Sequence, residues 1–331
     1  MTIDQVAHGF TKLSREDPKP FGAMAAAVLE HQRSSNPVYA RYCNAIGSRE
    51  TPLPTFLPVE AFRRAAVAAF PPEEAEHVFE SSRTGSGTPS RHYVRNLAIY
   101  RDSAAEHFRQ IFGEGPFLFV THLPGYEAQG GTSSLLYMID HLVDRFGAAG
   151  SGSVLGDAGK LHDLAELGAR SRVPLLVFGA AFGLLDLVEK HEFSLPHDAL
   201  VIETGGIKTH RRAIERGELH RRLAQGFGIA ASAVRSEYGM CELLSQCYSR
   251  EAGIFVPPPW MRAWVVDPAS PFEEVSVGGT GALAVLDLAN MHSASAVLTQ
   301  DRAVRRNDGF EVLGRLAGAE LRGCNFLLEH V

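Results

Sequence analysis

The chain has 331 residues, 45% of them apolar and 21% charged, with a net charge of −6. This is the ordinary balance of a folded protein with a sizeable core, in one large domain or two smaller ones. The mild negative charge and the lack of a basic stripe with interleaved aromatic residues exclude nucleic acid as the main partner.

The sequence begins Met1-Thr2-Ile3-Asp4, without the basic residues and the apolar run that mark a signal peptide. The longest apolar stretch, 173–188, is too short to span a bilayer. We therefore expect no signal peptide and no membrane span. The four cysteines contain no C-x-x-C pair, which argues against a structural zinc and a disulfide framework. A reducing, cytoplasmic environment fits these cysteines best.

In chain order, residues 1–55 are expected to form a helical N-terminal segment, residues 56–252 an α/β body and residues 253–331 a β-rich portion of one single domain. Strands that alternate with helices predict a largely parallel sheet. The predicted helices are 23–32, 59–70, 97–112, 133–145, 184–190 and 208–225. The predicted strands are 117–121, 173–178, 199–203, 234–238, 263–266, 282–286 and 310–313.

Four short motifs have residue types suited to nucleotide chemistry. The segment 81–92 is a predicted loop dense in Ser, Gly and Thr, whose amides and hydroxyls suit phosphate oxygens, although a plain surface loop looks the same. Tyr238-Gly239-Met240-Cys241-Glu242 places an aromatic residue, a glycine for close ligand approach and a carboxylate suited to Mg²⁺ at a strand end. Thr299-Gln300-Asp301 offers a short carboxylate at a predicted turn, and Gly314-Arg315 offers a guanidinium; each motif alone has an ordinary structural explanation.

The order and spacing of these motifs are more specific than any one of them. They resemble the adenylate-forming superfamily of acyl-CoA ligases, luciferases and peptide-synthetase adenylation domains. Within that superfamily the chain looks most like the acyl-protein synthetase (LuxE) family of bacterial luminescence, through the segments 133–142, 204–208 and 321–324. The resemblance implies the N-terminal-domain fold of these enzymes, with parallel sheets layered with helices and a smaller β-rich C-terminal portion.

The resemblance also implies site residues. ATP and Mg²⁺ are the expected cofactors, with Glu242 as the metal ligand. The expected nucleotide-binding residues are Thr84, Ser86, Gly87, Thr88, Gly205, Gly206, Tyr238, Gly239, Met240, Asp301 and Arg315.

Two departures from the family pattern bear on the chemistry. The phosphate loop is shorter and poorer in glycine than the usual run. Larger superfamily members carry an extra C-terminal domain of ~100 residues, the size of a small domain, with a lysine that assists adenylation. This chain continues for only 16 residues after Arg315, so that domain is expected to be absent. Lys208 is the candidate substitute for the lysine, although a solvated lysine at a helix start is an equal alternative.

The implied activity is adenylation of a hydrophobic carboxylic acid, followed by transfer to a cysteine near the C-terminus and on to a partner reductase. Cys324 stands at the matching position, although a small buried cysteine is its ordinary alternative. His122, after the predicted strand 117–121, could face a carboxylate or be an ordinary loop histidine. Two other functions stay open: a ligase that passes the acyl group to coenzyme A or an amine, and a non-catalytic nucleotide-binding scaffold.

Overall fold

The computed structural model describes residues 1–47, 51–81, 88–205, 214–250 and 253–316. The chain divides into two units. Unit 1 comprises residues 1–107, 239–247 and 256–316, and unit 2 comprises residues 108–238 and 248–255. Of the helices in these described ranges, none has both the length and the apolar character needed to cross a membrane.

Unit 2 contains a parallel sheet whose central strand is a continuous apolar run. Because both faces of such a sheet are covered by helices, this strand has apolar residues on both faces rather than on alternating positions. All six residues of one strand, Leu175–Ala180, are buried. The sheet order is β8-β7-β6-β4-β5, with β4 (Leu118–His122), β5 (Gly152–Ser153), β6 (Leu175–Ala180), β7 (Leu200–Thr204) and β8 (Val234–Tyr238) all parallel.

Helices of unit 2 pack on this sheet through a core of leucine, valine and phenylalanine. Local signals set their ends: the Ser133 hydroxyl accepts from the Leu136 amide at one helix start, and Gly228 ends another in the left-handed region at φ 69°. The helices are α6 (Ser134–Phe146), α7 (Ala158–Ser171), α8 (Ala181–Lys190) and α9 (Arg216–Phe227).

Unit 1 begins with helices and a hairpin. Asn36 ends one helix and caps the next, where its side-chain oxygen accepts from the Val38 and Tyr39 amides, both at 3.0 Å. The elements are α1 (Ile3–Gly9), α2 (Lys19–Ser35), α3 (Pro37–Ile46), β1 (Leu57–Pro58), α4 (Ala61–Arg64) and the antiparallel pair β2 (His77–Glu80) and β3 (Arg91–Val94). Three further elements of the chain are α5 (Leu97–Phe112), β9 (Cys247–Ser249) and β10 (Phe255–Val256).

The later part of unit 1 is an antiparallel sheet in the order β12-β11-β13-β14-β15, and β1 pairs with β14 in parallel. Its core includes the fully buried Trp260, whose ring meets Phe10 edge to face at 5.6 Å. The strands are β11 (Met261–Asp267), β12 (Ser270–Glu274), β13 (Thr280–Asp287), β14 (Ala296–Arg306) and β15 (Gly309–Arg315).

The predicted α/β class, with a parallel sheet and a β-rich later portion, is confirmed. Three local predictions were wrong. The predicted helix 59–70 is helical only at α4, residues 61–64, because Ala65 adopts an extended conformation. The predicted loop 81–92 gives way to strand β3 at Arg91, and Thr299-Gln300-Asp301 lies inside strand β14 rather than at a turn.

Candidate functional site

The Thr299-Gln300-Asp301 motif forms a bulge in β14. Against the neighbouring strand β13, these three residues stand opposite the single residue Leu283. The Thr299 hydroxyl donates to the Leu283 carbonyl at 2.8 Å and accepts from the Asp301 amide at 3.1 Å, which satisfies backbone groups that the bulge would otherwise leave unpaired. Bulges of this kind change the direction of a side chain and are frequent beside active sites.

Asp301 and Arg315, two of the predicted nucleotide residues, are brought together. They stand opposite each other in the β14–β15 register, and Arg315 Nη1 donates to Asp301 Oδ1 at 2.9 Å. Arg315 Nη2 donates to Gln300 Oε1 at 2.8 Å, and the Gln300 amide donates in turn to Glu60. Both paired side chains are almost buried, with 10% of Asp301 and 13% of Arg315 exposed. The Asp301 carboxylate can accept hydrogen bonds and the Arg315 guanidinium can donate them, and this combination of groups fits the two hydroxyls of a ribose.

Glu242 lies in an irregular stretch that we call the Glu242 segment, residues 239–246. Its side chain is buried, with 2% exposed. Gly239 is exposed and Met240 is half-buried, and a turn follows in which the Leu243 amide donates to the Met240 carbonyl at 3.0 Å. A single buried carboxylate agrees with Mg²⁺, which takes one or two carboxylates together with substrate phosphates. Within the described part of the chain, no three His, Cys, Asp or Glu side chains group as a metal site.

The predicted phosphate loop begins and ends in a defined hairpin. Ser81 and Ser90 close it, since the Ser81 amide donates to the Ser90 carbonyl at 3.0 Å and the Ser90 amide to the Ser81 hydroxyl at 2.9 Å. Thr88 is exposed on this connection between β2 and β3. The other predicted residues of the loop, Thr84, Ser86 and Gly87, lie outside the described residues, as do Gly206, Lys208 and Cys324.

In unit 2, two predicted nucleotide residues end adjacent parallel strands. Gly205 follows β7 with φ 100°, a conformation that favours glycine, and Tyr238 is the last residue of β8. The Tyr238 ring is half-buried and lies 5.7 Å from the ring of Phe255. The carboxyl ends of parallel strands are the usual edge for ligands in α/β sheets. His122 ends β4 at the same edge, 9% exposed, and burial lowers the pKa of its imidazole.

A buried ionic cluster beneath this edge was not predicted from the sequence. Glu203 Oε1 accepts from Arg216 and from the Ser236 hydroxyl, with His220 Nε2 at 3.4 Å. Burial alone would raise the pKa of Glu203, but Arg216 and the hydrogen bonds from His220 and Ser236 hold it below its ordinary value. The Arg216 guanidinium also lies over the Phe255 ring at 5.2 Å. The sequence contained two signals for this cluster: Glu203 is an acidic residue inside an apolar strand, and Arg216 and His220 are a basic pair with i, i+4 spacing on one helix.

Glu237, beside Tyr238, is a second buried carboxyl. It accepts a hydrogen bond from the Thr204 hydroxyl, and it is 4% exposed. Burial raises the pKa of Glu237 to about 7 against the opposing effect of that hydrogen bond. Two carboxyl groups on neighbouring strands of this sheet thus have opposite pKa shifts, because among the described residues a cation lies beside Glu203 and not beside Glu237.

Three solved structures of known enzymes show the fold. A scan against protein-family models gives no match, and no curated protein is similar in sequence. A 2-hydroxyisobutyryl-CoA ligase, in the postadenylation state in complex with 2-HIB-AMP, superposes with a TM-score of 0.67 at 16% identity, covering 92% of this chain and 68% of that chain. The same ligase with 2-HIB-AMP and CoA in the thioesterification state superposes with a TM-score of 0.66 at 15% identity, covering 92% of this chain and 69% of that chain. Apo MatB from Rhodopseudomonas palustris gives 0.52 at 17% identity, covering 75% of this chain and 49% of that chain. The chain therefore has the fold of the adenylate-forming CoA ligases.

Proposed function

We propose that the chain activates a carboxylic acid by joining it to the adenylyl group of ATP, with release of pyrophosphate. The observation that carries this proposal is the Asp301–Arg315 pair, held nearly buried on a fold shared with ligases whose structures contain an acyl-AMP. Fold likeness alone does not fix an activity, so the argument rests on this site.

The reaction makes few covalent demands on the protein. An oxygen of the substrate carboxylate attacks the α-phosphorus of ATP, and the bond from that phosphorus to the pyrophosphate oxygen breaks. The protein orients the two reactants and offsets the phosphate charge. In this proposal Asp301 accepts hydrogen bonds from the ribose hydroxyls, and Arg315 holds that carboxylate in place.

The remaining predicted residues take the other parts of the nucleotide. Tyr238, Gly239 and Met240 contact the adenine, and Glu242 holds Mg²⁺, which offsets the charge of the phosphates when it is bound. Lys208 supplies a further positive charge to the reacting groups. The residues proposed to surround the phosphates are Thr84, Ser86, Gly87, Thr88, Gly205 and Gly206.

In the second half-reaction the Cys324 thiolate attacks the acyl carbonyl of the adenylate. A thioester forms, AMP leaves, and the acyl group passes on to a partner protein such as a reductase. Coenzyme A is the second candidate acceptor. The observation in its favour is the similar ligase structure that contains both 2-HIB-AMP and CoA.

Carboxylate-dependent exchange of labelled pyrophosphate into ATP tests the first half-reaction. We expect exchange with at least one acid from a panel of fatty, aryl and amino acids. Asp301→Asn should raise the KM for ATP about ten- to a hundredfold, the worth of one or two charge-assisted hydrogen bonds. Glu311→Gln is the matched control, since Glu311 forms the ion pair with Arg306 in the same hairpin. Absence of exchange with every acid would favour the non-catalytic scaffold.

Mass spectrometry of the protein after incubation with ATP and the active acid tests the acceptor. An acyl adduct that is lost in Cys324→Ala supports transfer to the cysteine. When coenzyme A is added to the same mixture, free acyl-CoA formed by Cys324→Ala at the wild-type rate, with release of AMP, would instead identify coenzyme A as the acceptor.

A further inference from the structure

Side chains far away in sequence hold the backbone of the Glu242 segment. Asn290 Nδ2 donates to the Glu242 carbonyl at 2.8 Å, and its Oδ1 accepts from the Leu244 amide at 2.9 Å. His92 Nδ1 lies 2.9 Å from the Cys241 carbonyl. Because this part of the segment is neither helix nor strand, its buried backbone groups need such partners. The contacts bracket Glu242 on both sides.

The two ring nitrogens of His92 have different and defined partners. The Cys241 carbonyl can only accept, so Nδ1 carries the hydrogen. Nε2 lies 2.8 Å from the Ser293 hydroxyl, which donates to it when the ring is neutral. Burial lowers the pKa of His92 to about 4, in agreement with a neutral ring. His92 is therefore fixed in one tautomer and one orientation between the Glu242 segment and Ser293.

The other end of this network is anchored by the N-terminal helices, to which the sequence assigned no role. Gln32 of α2 donates to the Asn290 carbonyl at 2.9 Å and accepts from the Ser295 amide at 3.0 Å. Asn36, between α2 and α3, donates to the Ser293 carbonyl at 2.8 Å. The five side chains of this network are buried, with at most 2% of each residue exposed: Gln32, Asn36, His92, Asn290 and Ser293.

The network costs desolvation energy that an apolar core would avoid, since every one of these polar groups was hydrogen-bonded to water in the unfolded chain. What the network provides instead is a fixed position for the Glu242 segment, because each hydrogen bond holds one backbone group close to the Glu242 carboxylate. A ligand side chain has to be held within about 0.5 Å of its working position. The residues that hydrogen-bond to a metal ligand, without contacting the metal, usually determine how precisely that ligand is positioned.

We propose that His92 and Asn290 are positioning residues for Glu242 and set the affinity of the protein for the metal–nucleotide complex. The inference rests on the proposed function, since it takes Glu242 as the residue that contacts the metal. Neither residue touches nucleotide or metal in this scheme. They act by holding the carbonyl groups on which the position of Glu242 depends.

Electron paramagnetic resonance of free Mn²⁺, titrated with the full chain and α,β-methylene-ATP, tests the proposal without catalytic turnover. His92→Asn keeps an amide donor near the place of Nδ1, whereas His92→Gln puts its amide near the place of Nε2. We expect His92→Gln to weaken Mn²⁺–nucleotide binding about ten- to a hundredfold and His92→Asn to weaken it about threefold or less. Asn290→Ser, which no longer reaches the Glu242 carbonyl, should behave like His92→Gln.

A buried histidine elsewhere in unit 1 provides the control. His107 is 1% exposed, and its ring meets the Trp260 ring edge to face at 6.1 Å. His107→Gln should lower thermal stability as His92→Gln does, while leaving Mn²⁺–nucleotide binding unchanged. If His92→Gln is not folded, Ser293→Ala replaces it, with an expected weakening of about threefold to tenfold from the loss of one hydrogen bond.

The outcomes separate this inference from the proposed function. Wild-type protein that binds the Mn²⁺–nucleotide complex no better than the His92→Gln, Asn290→Ser or Ser293→Ala variants would overturn the positioning role and leave adenylation standing. Equal weakening in His92→Asn and His92→Gln would also overturn it, because the hydrogen bond to Cys241 would then not matter. Wild-type protein that binds no nucleotide at all would overturn the proposed function and this inference together.

Discussion

The buried pair of Glu203 and Arg216 predicts a large and pH-dependent loss of stability when its cation is removed. Glu203 is 0% exposed, and its other carboxylate oxygen, Oε2, has no hydrogen-bond partner among the residues that the structure describes. In Arg216→Met the carboxylate would keep, among the described residues, the Ser236 hydroxyl and His220 as partners. Breaking a buried ion pair from one side costs about 3–5 kcal/mol, so we expect the free energy of unfolding to fall by that amount at pH 7.

The sign of the pH dependence follows from the two forms of Glu203. In the wild type its folded-state pKa is below the ordinary value, so the pair stabilises the fold above pH about 4.5 and the contribution is lost as the pH falls through the folded-state pKa. Without Arg216 the buried carboxyl has its pKa raised and is more stable when neutral. The destabilisation in Arg216→Met should therefore shrink as the pH is lowered from 7 to 4.

Urea titrations of the wild type and variants measure both effects. Adding Glu203→Gln to Arg216→Met should recover most of the loss, to within about 2 kcal/mol of the wild type, because no charge then remains buried. Arg222→Met is the matched control on the same helix, since Arg222 pairs with Glu189 at 2.7 Å with 40% and 35% of the side chains exposed. It should cost at most about 1 kcal/mol. Equal losses in Arg216→Met and Arg222→Met, or a loss that does not change with pH, would refute this account of the cluster.

Three other predictions concern stability. Glu237, with a pKa raised to about 7, makes the fold less stable as the pH rises from 4.5 to 7, so Glu237→Gln should gain in urea midpoint over the wild type across that range and level off above it. In Gly226→Ala the new Cβ would lie 2.4 Å from the Val188 Cβ and 2.8 and 3.0 Å from its Cγ atoms, so calorimetry should show a loss of about 1–3 kcal/mol despite the better helix propensity. Adding Val188→Ala removes the two Cγ contacts and should recover part of the loss. Asn36→Ala removes a helix cap and leaves the buried Ser293 carbonyl without the Asn36 donor. The free energy of unfolding, measured by urea titration, should fall by about 2–4 kcal/mol, and a fall below about 1 kcal/mol would contradict this prediction.

Elements with a strong local pattern were predicted closely. Helix α5 and strand β8 have the predicted bounds, residues 97–112 and 234–238. In the first, apolar spacing near 3.6 spans four turns, and the second begins at the β-branched Val234, ends at the aromatic Tyr238 and is followed by a glycine. Such patterns act within a few residues, so the sequence is enough to identify them.

Strand β14 was missed, although it has eleven residues. Its sequence mixes threonine, glutamine, aspartate and arginine with apolar residues, so neither helical nor strand periodicity is clear. It becomes a strand because β13 and β15 pair with it from both sides. Pairing of this kind overrides local propensity. Helix α7, 158–171, was also not predicted, although Asp157 caps it by accepting from the Lys160 amide at 3.0 Å.

The sequence by itself determined the α/β class, because that class depends on periodicity. The resemblance of its motifs to a known family predicted the residues of the candidate site, including Asp301, Arg315, Tyr238 and Glu242. Only the tertiary structure decided that Asp301 stands in a bulge opposite Arg315 and that Glu242 lies on a backbone held by distant side chains. His92 and Cys241 are 149 positions apart in the sequence, and Gln32 and Ser295 are 263 apart. Contacts over such separations form only when buried surfaces come together, and no local pattern of residues encodes them.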